Sequence, residues 1–295
     1  MNNLQLTSSY KRDSELIIIT SLNYTYINMF DLWYKLFKEL SLKNNLLVLS
    51  FDEKSNLYLS KLGINYQKAQ ADSKKEIFLE RLRWVYKYLQ LGYNVLHTDA
   101  DAYWIDDNIF ELFDYNQPDL AISIGHGIPR VAINKWGFSL CCGFFFIKNN
   151  KKTLLFLEKW INLTQIEMDD QVALNNMLID TNFVWNSDSI WGNDGHSVVY
   201  DLSIKAIDYN RICRKDDFIT DKTMVYHPYY PSQFELIKYY QALSTLYKNN
   251  LITTDEYKKR MYGLNILRMA MSSAKLILKK ISKYLLPNKS LEGSN

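Results

Sequence analysis

The stretch Tyr93-Asn-Val-Leu-His-Thr-Asp-Ala-Asp101 decides the fold. Residues Tyr93 to His97 read as a short buried strand, because an apolar centre follows directly on the helix-stopping Gly92. The strand delivers Thr98 and the acidic pair Asp99 and Asp101 at its carboxyl end, where open α/β sheets hold their ligands. Two carboxylates two residues apart can converge on one divalent cation as the chain leaves the sheet. Hard oxygen donors suit Mg²⁺ or Mn²⁺, and such an ion can clamp a diphosphate and neutralise its leaving charge. On its own the pair is equally what a solvated acidic loop looks like, so its surroundings must decide.

Upstream, the chain alternates strand and helix. Glu15 to Thr20 is a β-branched run that reads as a buried strand. From Asn28 to Leu40, Phe30, Trp33, Tyr34, Phe37 and Leu40 recur at three and four, which lays one apolar stripe on a helix. Asn45 to Phe51 is a second strand, and Glu53 to Leu62 a short helix stopped by Gly63. Ser73 and Glu76 have capping-box spacing and open a helix whose buried face is Phe78, Leu82, Val85, Tyr86 and Leu89. This alternation predicts an α/β sheet.

Downstream, Leu120 to Ile124 and Gly143 to Ile147 read as strands, and Thr153 to Thr164 and Asp170 to Ile179 as helices. Val198 to Tyr200 and Ile204 to Ile207 are further expected strands in a segment rich in turn formers. No internal repeat or composition break is visible. A single body, residues 1–245, followed by a helical extension, 246–295, is the expected organisation.

Composition excludes several classes. At 295 residues, 47% hydrophobic, 23% charged and +3 net, the chain is neither disorder-like nor basic enough for a nucleic-acid binder. Its three cysteines, Cys141, Cys142 and Cys213, have no C-x-x-C spacing, which fits a reducing compartment. The polar N-terminus lacks a signal-peptide core and no apolar run is long enough to span a bilayer, so a cytoplasmic location is expected. The small net charge hides an asymmetry. From Lys258 onward nine basic residues face the single Glu292, a charge of +8, which leaves −5 for the rest. In that tail Leu267, Met271, Ala274, Leu278, Ile281 and Leu285 form one helical stripe flanked by lysines. Such a helix suits either the surface of an anionic membrane or packing on the body or a second copy.

The block H-T-D-A-D-A-Y-W-I-D-D-N-I-F-E-L-F, residues 97 to 113, resembles the nucleotide-diphospho-sugar transferase family, which includes plant cell-wall xylosyl- and galactosyltransferases with bacterial and viral members. The similarity continues through Gly143-Phe-Phe-Phe146, Trp160, Asp170-Gln171-x-x-Leu-Asn175 and Val225-Tyr-His227, and spans roughly residues 14 to 240. Asp106-Asp107-Asn108 departs from the family's frequent acidic-Pro turn. The resemblance implies a GT-A glycosyltransferase fold, a Rossmann-like mixed central sheet flanked by helices. It implies metal-dependent, retaining sugar transfer from a nucleotide-diphosphate donor, a UDP-sugar by expectation, to a glycan or lipid-linked acceptor.

The resemblance also suggests roles. Asp99 would touch the donor ribose or the metal, Asp101 would be the main carboxylate ligand, and His227 a third ligand, which inclines the choice to Mn²⁺ over Mg²⁺. A loop histidine before Pro228 is the plainer reading of His227. Arg83 stands where the family often has a basic residue that could bind the diphosphate, with Arg81 the competing choice and a solvated helix face the plain alternative. Thr20, Ser21 and Asn23, at the end of the first strand, occupy the place of nucleotide contacts, and Lys238 is a candidate for the diphosphate. Retention needs a carboxylate nucleophile or a front-face route, and Asp170, Asp169 and Asp194 are the carboxylates offered. Asp170 is preferred, chiefly to bond the donor sugar or orient the acceptor. Asp169 and Asp170 also suit a helix cap, and Asp194 a turn. A haloacid-dehalogenase-type phosphatase fits poorly, because its acidic motif closes the first strand. A catalytically silent nucleotide-sugar binder or partner-binding protein is the alternative of a different class.

Overall fold

The computed structural model describes residues 16–38, 40, 42–106, 108–112, 118–215, 219–220, 222–228 and 253. The expected Lys238 contact, the expected boundary around residue 245 and, apart from Thr253, the C-terminal extension lie outside the described residues.

The first half alternates as its apolar periodicity requires. Strand β1 (Leu16–Leu22) leads to α1 (Ile27–Phe37), β2 (Leu46–Ser50), α2 (Glu53–Lys61), β3 (Tyr66–Lys68), α3 (Lys74–Gln90) and β4 (Asn94–Thr98). Side chains cap two of these helices: Asp52 accepts from the Ser55 amide at 2.8 Å, and Ser73 from the Glu76 amide at 3.2 Å. The short strand β5 (Tyr103–Trp104) follows the acidic pair. The second half holds β6 (Leu120–Gly125), α4 (Arg130–Trp136), β7 (Ser139–Ile147), α5 (Lys151–Glu167), α6 (Asp170–Asp180), β8 (Val184–Trp185), β9 (Asn193–Ser197), β10 (Leu202–Ala206), β11 (Ile212–Cys213) and β12 (Val225–Tyr226).

Nine strands form one mixed sheet in the order β3-β2-β1-β4-β7-β6-β10-β9-β8. Strands β1, β2 and β4 run parallel, and β7 runs antiparallel to both β4 and β6. Strand β6 therefore points the same way as β4, and β10 is parallel to β6. The carboxyl ends of β1, β4, β6 and β10 consequently share one edge. Strand β7 is buried along its whole length, as a central strand covered on both faces should be. Helix α3 packs on β1 and β4, and α6 on β7. The alternation predicted an α/β sheet, and the mixed, helix-flanked form is the one the family resemblance implied.

Two expectations change. Val198 to Tyr200 is the turn between β9 and β10, not a strand: those strands pair antiparallel, Asp201 has φ +52°, and Val198 is 86% exposed. Strand β7 begins at Ser139, four residues before the expected start. It also carries an irregularity, because Ile122 pairs with Phe145 while the next residue, Ser123, pairs with Cys141. The surplus residues Cys142 to Phe144 have no partner on β6, while on the other side Phe144 pairs with Thr98 of β4.

A second, three-stranded sheet, β11-β12-β5, sits beside the acidic pair. Its anchor is aromatic. Trp33 stacks on Phe37 at 4.7 Å, and Phe37 meets Trp104 edge-on at 5.1 Å. All three rings are wholly buried, a contribution of about 1.5–3 kcal/mol each. The indole N–H groups then brace the loop: Trp33 donates to the Ala102 carbonyl at 3.0 Å and Trp104 to the Thr98 hydroxyl at 3.2 Å.

Candidate metal centre

Strand pairing assembles the site. In the small sheet Tyr226 pairs antiparallel with Tyr103, so the residue after Tyr226 runs back past Ala102 towards Asp101. That residue is His227. Its Nε2 lies 3.2 Å from Asp101 Oδ1 and 3.9 Å from Asp99 Oδ2. One donor atom from each of Asp99, Asp101 and His227 falls within 4.8 Å of the others. The Asp99 amide donates to the Gly143 carbonyl at 2.7 Å, so the β7 bulge fixes where the acidic loop leaves β4.

Gly143 explains itself here. A Cβ at this position would lie 2.1 Å from His227 Cε1 and 2.8 Å from Asp99 Oδ2, so any side chain would occupy the space where the three donors meet. Two carboxylates and one imidazole around a cradle closed to side chains suit Mn²⁺ or Mg²⁺, and the residues present fit such an ion.

The electrostatics follow from burial and partners. Burial alone would raise the Asp99 carboxyl, but Arg81, then His97 and His227, outweigh it and hold it below the usual carboxylate range. For His227, burial and the nearby Arg214 oppose charging, yet Asp101 and the Cys141 thiol prevail and raise it to about 9. Arg214 Nη1 sits 3.1 Å from His227 Nδ1 and 2.5 Å from Cys141 Sγ, on the side of the ring away from the two carboxylates. All three cysteines are buried free thiols.

Behind the three donors lies a buried charge bridge. Arg81 donates from Nη1 to Asp99 Oδ1 at 2.9 Å and from Nε to Asp170 Oδ2 at 2.5 Å, and Nη2 also pairs with Asp170. Burial pushes the Asp170 carboxyl up to about 6 against the pull of Arg81. Trp160 donates to the Asp170 carbonyl at 2.8 Å and so pins the start of α6.

The remaining expected residues divide. Arg83 points away: it is exposed and bonds Glu80 at 2.5 Å, so the guanidinium that reaches the acidic pair is that of Arg81. The sequence contained a signal for this, since Phe78, Arg81, Leu82, Val85 and Leu89 together follow helical spacing and Arg81 falls within the buried stripe. Asp169 caps α6, accepting from the Val172 amide at 2.9 Å. Asp194 is exposed on β9, four strands from β4 and about 19 Å across the sheet at ~4.8 Å per strand, so it does not join the cluster. Thr20 and Ser21 do approach it. Ile19 pairs with His97, which sets them one strand over from Thr98 and Asp99. The Thr20 and Ser21 hydroxyls and the Asn23 amide oxygen are buried with no protein partner. Unpaired buried polar groups cost about 1–3 kcal/mol each.

A fold with helices on a mixed sheet, and an Asp-x-Asp at the end of a central strand that with His227 could hold a metal ion, defines a class, and the sequence comparison names it. The chain belongs to the nucleotide-diphospho-sugar transferase family, which it matches over residues 41–231. It is 27% identical over 193 residues to an uncharacterized protein of Arabidopsis thaliana, covering 56% of each chain. It is 33% identical over 87 residues to the UDP-galactose:fucoside alpha-3-galactosyltransferase of Dictyostelium discoideum, covering 29% of this chain and 13% of that one. The chain thus spans about half of the first relative and a small part of the second. Among solved structures, the glycosyltransferase GlyE of Streptococcus pneumoniae TIGR4 superposes with a TM-score of 0.48 at 15% identity, over 77% of this chain and 61% of that one.

Proposed function

We propose that the chain is a metal-dependent glycosyltransferase that moves a sugar from a nucleotide diphosphate, a UDP-sugar in the first instance, to a glycan or lipid-linked acceptor with retention. The observation that carries this reading is the convergence of Asp99, Asp101 and His227 on one point beside the bulge at Gly143. Those three side chains would hold Mn²⁺, or Mg²⁺, and the ion would supply positive charge against the donor diphosphate.

The chain's own groups do the rest. Thr20, Ser21 and Asn23 offer buried hydroxyls and an amide to the nucleotide. Arg81 holds Asp99 and Asp170 in fixed orientation, and its positive charge lets both carboxylates stay ionised beside an anionic donor. Asp170, enclosed and already bonded to Arg81, suits holding that guanidinium against Asp99 better than nucleophilic attack, which favours a front-face route to retention. No helix among the described residues is long and apolar enough to cross a membrane. The basic C-terminal extension supports contact with an anionic membrane surface, which would suit a lipid-linked acceptor.

The test is nucleotide release. The chain is incubated with Mn²⁺ and a panel of nucleotide sugars, and hydrolysis or transfer is followed by the freed diphosphate. Release from one donor, abolished by EDTA and by Asp101→Asn, is the expected result. No release from any donor would replace the enzyme reading with that of a silent nucleotide-sugar binder.

A further inference from the structure

His97 is wholly buried on β4, two residues before Asp99, and the chemistry proposed above does not use it. Its ring lies 5.0 Å from that of Phe145, and its backbone neighbours Val95 and Leu96 are buried apolar residues. A polar ring in such surroundings is costly unless it is hydrogen bonded. His97 Nε2 lies 3.2 Å from Asp99 Oδ1 and 3.4 Å from Arg81 Nη1, while Nδ1 is buried with no partner. Arg81 can only donate, and its Nη1 already gives the shorter bond to Asp99 Oδ1, so its approach to Nε2 is a contact and not a hydrogen bond when Nε2 carries the hydrogen. The neutral tautomer that fits carries its hydrogen on Nε2 and gives it to Asp99. The other tautomer would orphan a buried N–H at Nδ1 and set a lone pair against the carboxylate. Asp99 Oδ1 therefore accepts twice, from Arg81 at 2.9 Å and from His97. Oδ2 is the oxygen that faces His227 and the side-chain-free space at Gly143.

We propose that His97 is a positioning residue for the metal centre: with Arg81 it locks Asp99 by one oxygen, so that the other is presented to a divalent cation shared with Asp101 and His227. The inference rests on reading those three residues as the metal-binding set. Arg81 alone does not fix the carboxylate, because its guanidinium is shared with Asp170. Without the His97 bond, Asp99 is free to turn both oxygens onto Arg81 in a bidentate pair, which draws Oδ2 away from the cation. Outer-shell partners of this kind change metal affinity about 10–100-fold when removed.

Mn²⁺ alone, titrated into the full chain with the free ion followed by EPR, tests this without any donor or acceptor. His97→Gln keeps an N–H donor at a similar reach, whereas His97→Met has the same length and none. The expected result is near-wild-type Mn²⁺ binding for Gln and binding weaker by about tenfold or more for Met, with similar melting temperatures for the two. Equal affinity of His97→Met and wild type, in a series where Asp101→Asn loses binding, overturns the role of His97 alone. Equal uptake by wild type and Asp101→Asn, or none by either, overturns the metal reading and this inference with it. Should His97→Met fail to fold, His97→Phe, which keeps a ring beside Phe145, takes its place with the same two outcomes.

Discussion

Arg81 Nη1 lies 2.9 Å from Asp99 Oδ1, and this ion pair ties the buried stripe of α3 to the first residue beyond β4. The guanidinium is almost completely enclosed and is bonded on its other edge to Asp170, which is enclosed as well. One cation thus stands between two carboxylates that belong to different halves of the sequence.

Replacing that cation should unfold more than it silences. Arg81→Met leaves the Asp170 carboxylate buried without a counter-charge, and truncating one partner of a buried pair costs about 3–5 kcal/mol. Arg81→Lys should recover only part of this, because a single ammonium cannot present two edges to two carboxylates. Arg83→Ala, on the exposed face of the same helix, should change stability by less than about 0.5 kcal/mol. Urea unfolding of the three variants checks the order. Equal losses at 81 and 83 would mean that the buried bridge does not exist.

Gly143→Ala separates packing from site geometry. The added methyl must displace His227 and Asp99, not merely fill a gap, since it would meet their side chains at 2.1 and 2.8 Å. Overpacking of this kind costs about 1–3 kcal/mol, which leaves a folded chain at moderate temperature. Mn²⁺-dependent protection against thermal unfolding should disappear in this variant while circular dichroism stays that of wild type. Retained metal protection would show that the donors do not meet at this point.

The acidic pair was legible because its signal is local: a strand, then two carboxylates two residues apart at the end that binds ligands. His227 became legible only through the ordered set of motifs, because what joins it to Asp101 is the pairing of Tyr226 with Tyr103, a contact across more than a hundred residues. Arg83 was preferred to Arg81 because the family resemblance sets a basic residue there, although the spacing of Arg81 from Phe78, Leu82 and Val85 placed it inside the stripe. Asp194 was over-read for the opposite reason. Asn-Asp-Gly-His-Ser, residues 193–197, looks like a turn, and only its pairing with Leu202–Ala206 shows a strand at the far side of the sheet. The apolar Val198 and Val199 suggested a strand but lie exposed in a turn. Nothing in local composition reports register between distant strands.

Acid should loosen the entry to α2 in a predictable way. Burial alone would raise the Asp52 carboxyl, but the amides of Ser55 and Tyr24 that it accepts outweigh that and lower it below the ordinary value. A carboxyl depressed in the folded state contributes stability above its unfolded pKa, about 3.9, and loses it as pH falls through the lower folded value. Asp52→Ala should therefore cost about 1 kcal/mol at pH 7, and the gap to wild type should narrow below about pH 4. Denaturant titrations at several pH values give the answer. A gap independent of pH would assign the effect to lost side-chain packing and not to the charged cap.

The charge asymmetry makes the last prediction. Nine basic residues from Lys258 onward face one acid, on a stretch whose apolar residues recur at helical spacing. Near an anionic surface each basic residue contributes roughly 1 kcal/mol, and the attraction decays over a Debye length of about 8 Å at physiological salt. The full chain should float with vesicles containing phosphatidylserine, should not float with phosphatidylcholine alone, and should be released as salt is raised. Replacing Lys275, Lys279, Lys280 and Lys283 by glutamine should abolish flotation while Mn²⁺ binding is unchanged, because the metal set lies wholly between Asp99 and His227. Flotation with neutral and anionic vesicles alike would point to apolar insertion, and none with either would assign the tail to packing within the protein or between copies.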